Sequence, residues 1–237
     1  MHHKTMVNTV GALALVAAVA LPTAAPGQNA VVSANSSRLE TAASAIPTAA
    51  NPVVTDTAQG AARIAASPAK AVASSVATSN CDGCDAESTA LQVVYFDGSA
   101  GASADNTATA WSSCVGCASS AVSVQLVVAR HSVPLTVNNR ALALNAVCAG
   151  CTTTSAAIQF VIAGDTKRQL SEQAKVLIAR IQAQLADRMA EPSPDQGQQK
   201  AQADSLATET AQKLESVIIT DMGPASVQRL IDVQVGQ

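Results

Sequence analysis

Aromatic side chains are almost missing from this chain. Tyr95, Phe96, Trp111 and Phe160 are the whole set, 2% of 237 residues. Much of the 48% apolar fraction is alanine, which buries little area per residue. Hydrophobic burial per residue is therefore expected to be weak, and a fold built from such residues gains from regular backbone pairing and cross-links. Charge is scarce as well, at 13%, with a formal net charge of -3 and a pI near 5.5. Without a basic excess the chain does not read as a nucleic-acid binder. Beyond His2 and His3 there is one histidine, His131, and a lone loop histidine reads as a solvated side chain, not a triad member. GxSxG, HExxH, P-loop and GxGxxG patterns are all missing. Asp82, Asp85 and Glu87 cluster in sequence, and read as a solvated turn. The expectation is a protein with no catalytic activity and no cofactor.

The longest uninterrupted apolar run is Val10 to Leu21, too short for a membrane span of ~20 residues. Lys4 precedes it and small residues around Ala24, Ala25 and Gly27 follow it, so residues 1–27 read as a secretory signal peptide. The expected location is extracellular or in the cell wall, with no stable membrane span once the signal is removed. Residues 28–79 are Ala, Ser, Thr, Asn, Val and Pro with few charges. Pro47, Pro52 and Pro68 interrupt any long helix, with a helical turn or two at Ser36–Glu40 and Gly60–Ile64, so this segment is expected to be a mostly disordered linker.

Six cysteines are present, all in one frame. Cys81/Cys84, Cys114/Cys117 and Cys148/Cys151 form three CxxC pairs at a nearly constant interval, the second interval one position longer than the first. At the eighth position after each second cysteine stands a glutamine within an aliphatic run: Gln92, Gln125 and Gln159. This is an internal repeat over residues 80–164. In each unit the runs Ala90–Phe96, Val122–Ala129 and Ala156–Ala163 read as strands, and Asn106–Trp111 and Arg140–Leu144 as the strands preceding the next CxxC turn. The fold class is a short β-solenoid, with an antiparallel β-meander or sandwich as the alternative; the near-constant period favours the coil. In a solenoid the three glutamines fall in register and their amides bond along the stack; the alternative is that all three face solvent.

Three readings of the cysteines compete. In an exported chain they form structural disulfides, with connectivity open among 15 pairings. Two CxxC pairs otherwise make a tetrahedral zinc site, or stacked pairs hold Cu(I). The third reading is thiol redox exchange, which needs a βαβ frame that does not surround these motifs. Structural disulfides are the expectation, and thiol-based metal binding or redox the alternative. The repeated Cys-x-x-Cys, with Gln at eight and Val at ten, resembles exported actinobacterial proteins built from CxxC-strand units, whose segments are also similar to ones appended to peptide zinc metalloproteases. The resemblance covers residues 80–164 and implies an extracellular, repeat-built protein. HExxH is missing, so it implies no peptidase activity.

The composition changes at residue 165. Residues 165–237 hold ten acids and eight bases, against five and two in 81–164. Leu170, Ala174, Leu177, Ile178, Ile181, Leu185 and Met189 fall on one helical stripe. A second helix is expected from Gln198 to about Ile218, and a last short one at Ala225–Val235. Together they read as a helical cap over the open end of the repeats. Self-association or a cell-surface protein partner is the expected use.

Overall fold

The computed structural model describes residues 31–35, 37–98, 101–130, 133–164, 169–191 and 196–236. The expected signal peptide, His131, Pro192 and Pro194 lie outside them.

After a short strand β1 (Val31–Ala34), the chain winds as a β-solenoid of about four turns. Each coil contributes one strand to each of two facing sheets. β2 (Arg38–Ala45), β4 (Ala69–Ser79), β6 (Ala102–Ser112) and β8 (Leu135–Asn145) form the first sheet, and β3 (Val53–Ile64), β5 (Asp85–Phe96), β7 (Ala118–Ala129) and β9 (Thr152–Ala163) the second. Within each sheet these strands are parallel. The meander alternative is excluded by that pairing. β1 runs antiparallel along β2, and β10 (Val227–Val235) antiparallel along β9. The sheet orders are β1-β2-β4-β6-β8 and β10-β9-β7-β5-β3.

The repeat interval in the sequence is the length of one rung. In the second sheet Val53 pairs with Asp85, Asp85 with Ala118 and Ala118 with Thr152, so each step is one position longer than the one before. In the first sheet the step from Ala102 to Leu135 only equals that from Asp85 to Ala118, so the extra residue of the last coil lies in its corner, between Asn145 and Thr152. Val147 stands there, with a φ of 53° and its side chain fully exposed. A β-branched residue in the left-handed region is strained, as expected of a single-residue insertion looped out of a repeat.

The interior is thin because its side chains are small. Ala43, Ala73, Ala77, Ala90, Ala108, Ala110, Ala121 and Ala157 all point inward and are buried. Outward residues of the first sheet alternate with these, as expected for a sheet with one wet face. The second sheet is buried on both faces along β5, β7 and β9. Its outer apolar row, with Leu91, Val93, Leu126, Ile158 and Phe160, is covered by α1 (Glu172–Ala190) and α2 (Gln196–Met222). α1 starts at the Ser171 N-cap, whose hydroxyl accepts from Ala174 N–H. It buries Ala174, Ile178, Leu185 and Met189 as the stripe predicts. Leu177 instead stays 43% exposed, and Gln182 takes a buried place, donating to the carbonyls of Ala90 (2.8 Å) and Val122 (3.0 Å).

Three expectations are corrected. Residues 28–79 are not a disordered linker over their described length: they form β1 to β4, the first coil and the start of the second. Their prolines sit at corners, Pro47 after β2, Pro52 before β3 and Pro68 before β4, where a missing N–H breaks no ladder. Arg38 to Glu40 and Gly60 to Ile64 accordingly lie in strands, not helical turns. Ala225–Val235 contributes β10 and no helix, because Ile231, Val233 and Val235 alternate onto the apolar cluster beneath α2. The helices, for their part, cover a sheet face and not the open end; at that end the second sheet is extended by β10.

Candidate functional site

The three CxxC turns stack at one corner of the solenoid, where the chain passes from the first sheet to the second. Each cysteine pair lies at disulfide distance within its own turn, with Cα separations of 5.4 Å for Cys81/Cys84, 6.0 Å for Cys114/Cys117 and 5.9 Å for Cys148/Cys151. The turns are held to one another by backbone bonds. Gly83 N–H donates to Val115 carbonyl and Gly116 N–H to Ala149 carbonyl, at 2.9 and 2.8 Å. Asp82 Oδ1 accepts from Val115 N–H at 2.8 Å. The residue before each second cysteine is glycine: Gly83, Gly116 and Gly150, with φ of 65°, 62° and 68°. That conformation is open to glycine at little cost and closes the turn so that the two cysteine side chains converge. The motif is thus CxGC, a signal present in the sequence beside the cysteine spacing.

Sulfur also approaches sulfur between rungs. Cys117 Sγ lies 3.5 Å from Cys151 Sγ, and the sulfurs of Cys117, Cys148 and Cys151 all fall within 4.8 Å of one another. The first coil has no such pair. At the step that joins Val53 to Asp85, Ala49 and Pro52 occupy the places of Cys81 and Cys84, and a Thr48–Asn51 bridge closes the turn.

The glutamines lie where the in-register reading puts them. Gln92, Gln125 and Gln159 point into the interior and are fully buried. Gln125 Nε2 donates to Gln92 Oε1 at 2.7 Å, and Gln159 Nε2 to Gln125 Oε1 at 2.5 Å. Each amide nitrogen also reaches across to the first sheet: Gln92 to Val72 carbonyl (2.7 Å), Gln125 to Asp105 carbonyl (3.1 Å) and Gln159 to Ala104 carbonyl (3.2 Å). In the first coil the equivalent position is Gly60, and a Cβ there would collide with Thr41 Oγ1. Thr41 fills that space and accepts from Gln92 Nε2 at 3.2 Å. The ladder ends on Gln159 Oε1, which is buried with no hydrogen-bond partner.

A second ladder escaped the sequence reading. Asn106 Nδ2 donates to Asn139 Oδ1 at 2.7 Å, Ser123 Oγ to Asn106 Oδ1 at 2.6 Å, and Asn139 Nδ2 to Ala157 carbonyl at 2.8 Å. Asn106 and Asn139 are separated by the same interval as Cys81 and Cys114, and that coincidence was the available signal.

The acids near the first turn separate. Asp82 caps the neighbouring turn, while Glu87 points outward from β5 toward Asp187 of α1. Burial first, and then the Asp187 carboxylate beside it, push the Glu87 carboxyl up to about 7. Tyr95 sits under the start of α1. Its hydroxyl accepts from Leu170 N–H at 2.7 Å, and burial raises its phenol. A surface hollow of about 450 Å³ is lined by Glu172, Gln173, Val176, Leu177 and Arg180, all on α1, and joins none of these groups. Among the described residues no helix is long and apolar enough to cross a membrane.

No protein-family model, curated protein or solved structure matches the chain.

Proposed function

We propose that this is an exported, non-enzymatic scaffold or interaction protein of the cell surface or extracellular space, its corners clipped by CxGC disulfides within each turn. The observation that carries the reading is the stack of three turns with cysteines paired at disulfide distance, in a chain that opens with an export-type apolar segment. An oxidising space turns paired thiols into disulfides, and a core of alanines gains from each clip. The resemblance of residues 80–164 to exported actinobacterial CxxC repeats supports the same location. Either a second copy or a cell-surface protein serves as partner. The test is thiol counting on protein recovered from outside the cell, by mass spectrometry with alkylation before and after reduction. The reading requires no alkylated cysteine before reduction and six after it. Finding the chain retained inside the cell with free thiols refutes it.

One observation favours a second reading, a thiolate site for Zn²⁺ or Cu⁺, or a redox centre. The sulfurs of Cys117, Cys148 and Cys151 stand close enough to share one ion, since the sulfurs of a tetrahedral zinc site are ~3.8 Å apart. That reading requires free thiols and a bound metal in the isolated protein.

A further inference from the structure

The two ends of the solenoid differ in shape. Among the described residues, the first sheet runs one strand further at the N-terminal end, to β1, while the second stops at β3. At the C-terminal end the second sheet runs one strand further, to β10, while the first stops at β8. These steps are complementary. Each sheet has five strands, so a second copy displaced along the axis by five strand spacings sets its β1 beside β8 and its β3 beside β10.

The strand directions agree with that placement. β1 opposes β2, and β8 runs parallel to the strands that follow β2, so the β8–β1 junction is antiparallel. β10 opposes β9 and the strands parallel to it, so the β10–β3 junction is antiparallel too. The backbone is presented suitably. Pro134 carbonyl and Ala146 N–H bond to β6, so the odd-numbered residues of β8 turn their backbone to the step. Pro52 and Ile64 carbonyls accept from Asp85 and Asp97, so Val53, Thr57, Gln59 and Ala61 of β3 turn their backbone to the other step. Asp232 takes one donor of the β8 row, Ala141 N–H at 2.8 Å, and Asp56 takes Ser44 N–H at 2.6 Å on β2. The helix layer is offset in the same sense. It packs over β5, β7, β9 and β10, while β3 keeps Val53 and Thr57 exposed on that face. In the stacked arrangement β3 of one copy adjoins α2 of the copy before it.

We propose that the chain assembles head to tail, its partner a second copy of itself, each step filled by the complementary step of the neighbour. This deepens the scaffold reading and rests on it. The contact is heterologous and does not close on itself, so it propagates into a filament with two continuous sheets. An edge strand presents a row of backbone N–H and C=O groups with which another chain can pair. Five strands at ~4.8 Å each give an axial repeat of ~24 Å.

The test uses the full, oxidised chain. Light scattering over a concentration series and negative-stain microscopy are expected to show linear assemblies with a repeat of ~24 Å. Gln59→Pro on β3 and Ala143→Pro on β8 each remove an N–H that faces a step and leave the internal ladders intact. Each variant alone is expected to stay monomeric, because each keeps one sound end. An equimolar mixture is expected to form 1:1 dimers and stop. A wild-type chain that stays monomeric at all concentrations overturns the assembly while leaving the disulfide scaffold standing. A closed dimer indifferent to both prolines overturns it as well. Should either variant fail to fold, the axial repeat of the wild-type assemblies still decides.

Discussion

Replacing Gln125 with leucine should cost far more than the loss of one polar side chain. Gln125 is fully buried in the middle of the amide ladder. Leucine nearly matches its volume, so packing changes little. Gln92 Oε1 loses its Gln125 donor inside the solenoid, and Gln159 Nε2 is left with Ala104 carbonyl at 3.2 Å. A buried polar atom stripped of its partner costs ~1–3 kcal/mol. One stranded acceptor and one weakened donor, less the gain from a more apolar side chain, come to about 2–4 kcal/mol. For a chain of this size that lowers the melting temperature by about 5–15 °C. Replacing all three glutamines with leucine leaves no stranded partner along the ladder, so the triple variant should lose much less than three times the single cost. Denaturant unfolding of the oxidised protein measures both. A Gln125→Leu variant within ~0.5 kcal/mol of wild type, or strict additivity across the triple, refutes the ladder as an energetic unit.

Three further outcomes follow from the geometry. Glu87 binds its proton more tightly in the folded state, so its contribution is full below the ordinary value of 4.5 and is lost as pH rises through about 7. Its partial exposure limits the loss to about 1 kcal/mol, and Glu87→Gln should flatten that part of the stability–pH curve. Val147→Gly should raise stability by about 1 kcal/mol, because glycine adopts the observed φ of 53° without strain; an unchanged unfolding midpoint contradicts this. Replacing Cys114 and Cys117 with serine should lower stability by about 2 kcal/mol, as estimated for so short a loop, and the loss should vanish when wild type and variant are compared fully reduced.

Much of the solenoid is written in the chain, but unevenly. Cys81, Cys114 and Cys148 mark the rung length because a stacked coil tolerates little variation in it, and the one added residue is expelled at Val147. The glutamines were legible because an amide in an aliphatic run needs an explanation. The first coil was not legible. Ala49 and Pro52 stand where cysteines would announce it, and a thin interior selects Ala, Ser and Thr, the residues of a flexible linker. What separates the two is alternation along β2 and β4, where buried and part-exposed residues follow one another at period two. The position of the helices was hidden for a different reason. The stripe on α1 shows that one face is covered, not by what. The clue lay in the partner, since Leu91, Val93 and Val94 make β5 apolar on both faces and so demand a second cover.

The central claim is that coils of one near-constant length stack in parallel register. It is tested most directly by a cross-link between rungs. Thr109 and Leu142 are register partners on the outward face of β6 and β8, whereas Thr107 and Leu144 are offset by four positions. Strand neighbours lie ~4.8 Å apart, inside the range a disulfide spans. A chain carrying Thr109→Cys and Leu142→Cys is predicted to form that bond quantitatively on mild oxidation, and one carrying Thr107→Cys and Leu144→Cys to keep both thiols. Equal cross-linking of the two pairs, or none in the matched pair, would contradict the stacked-coil account.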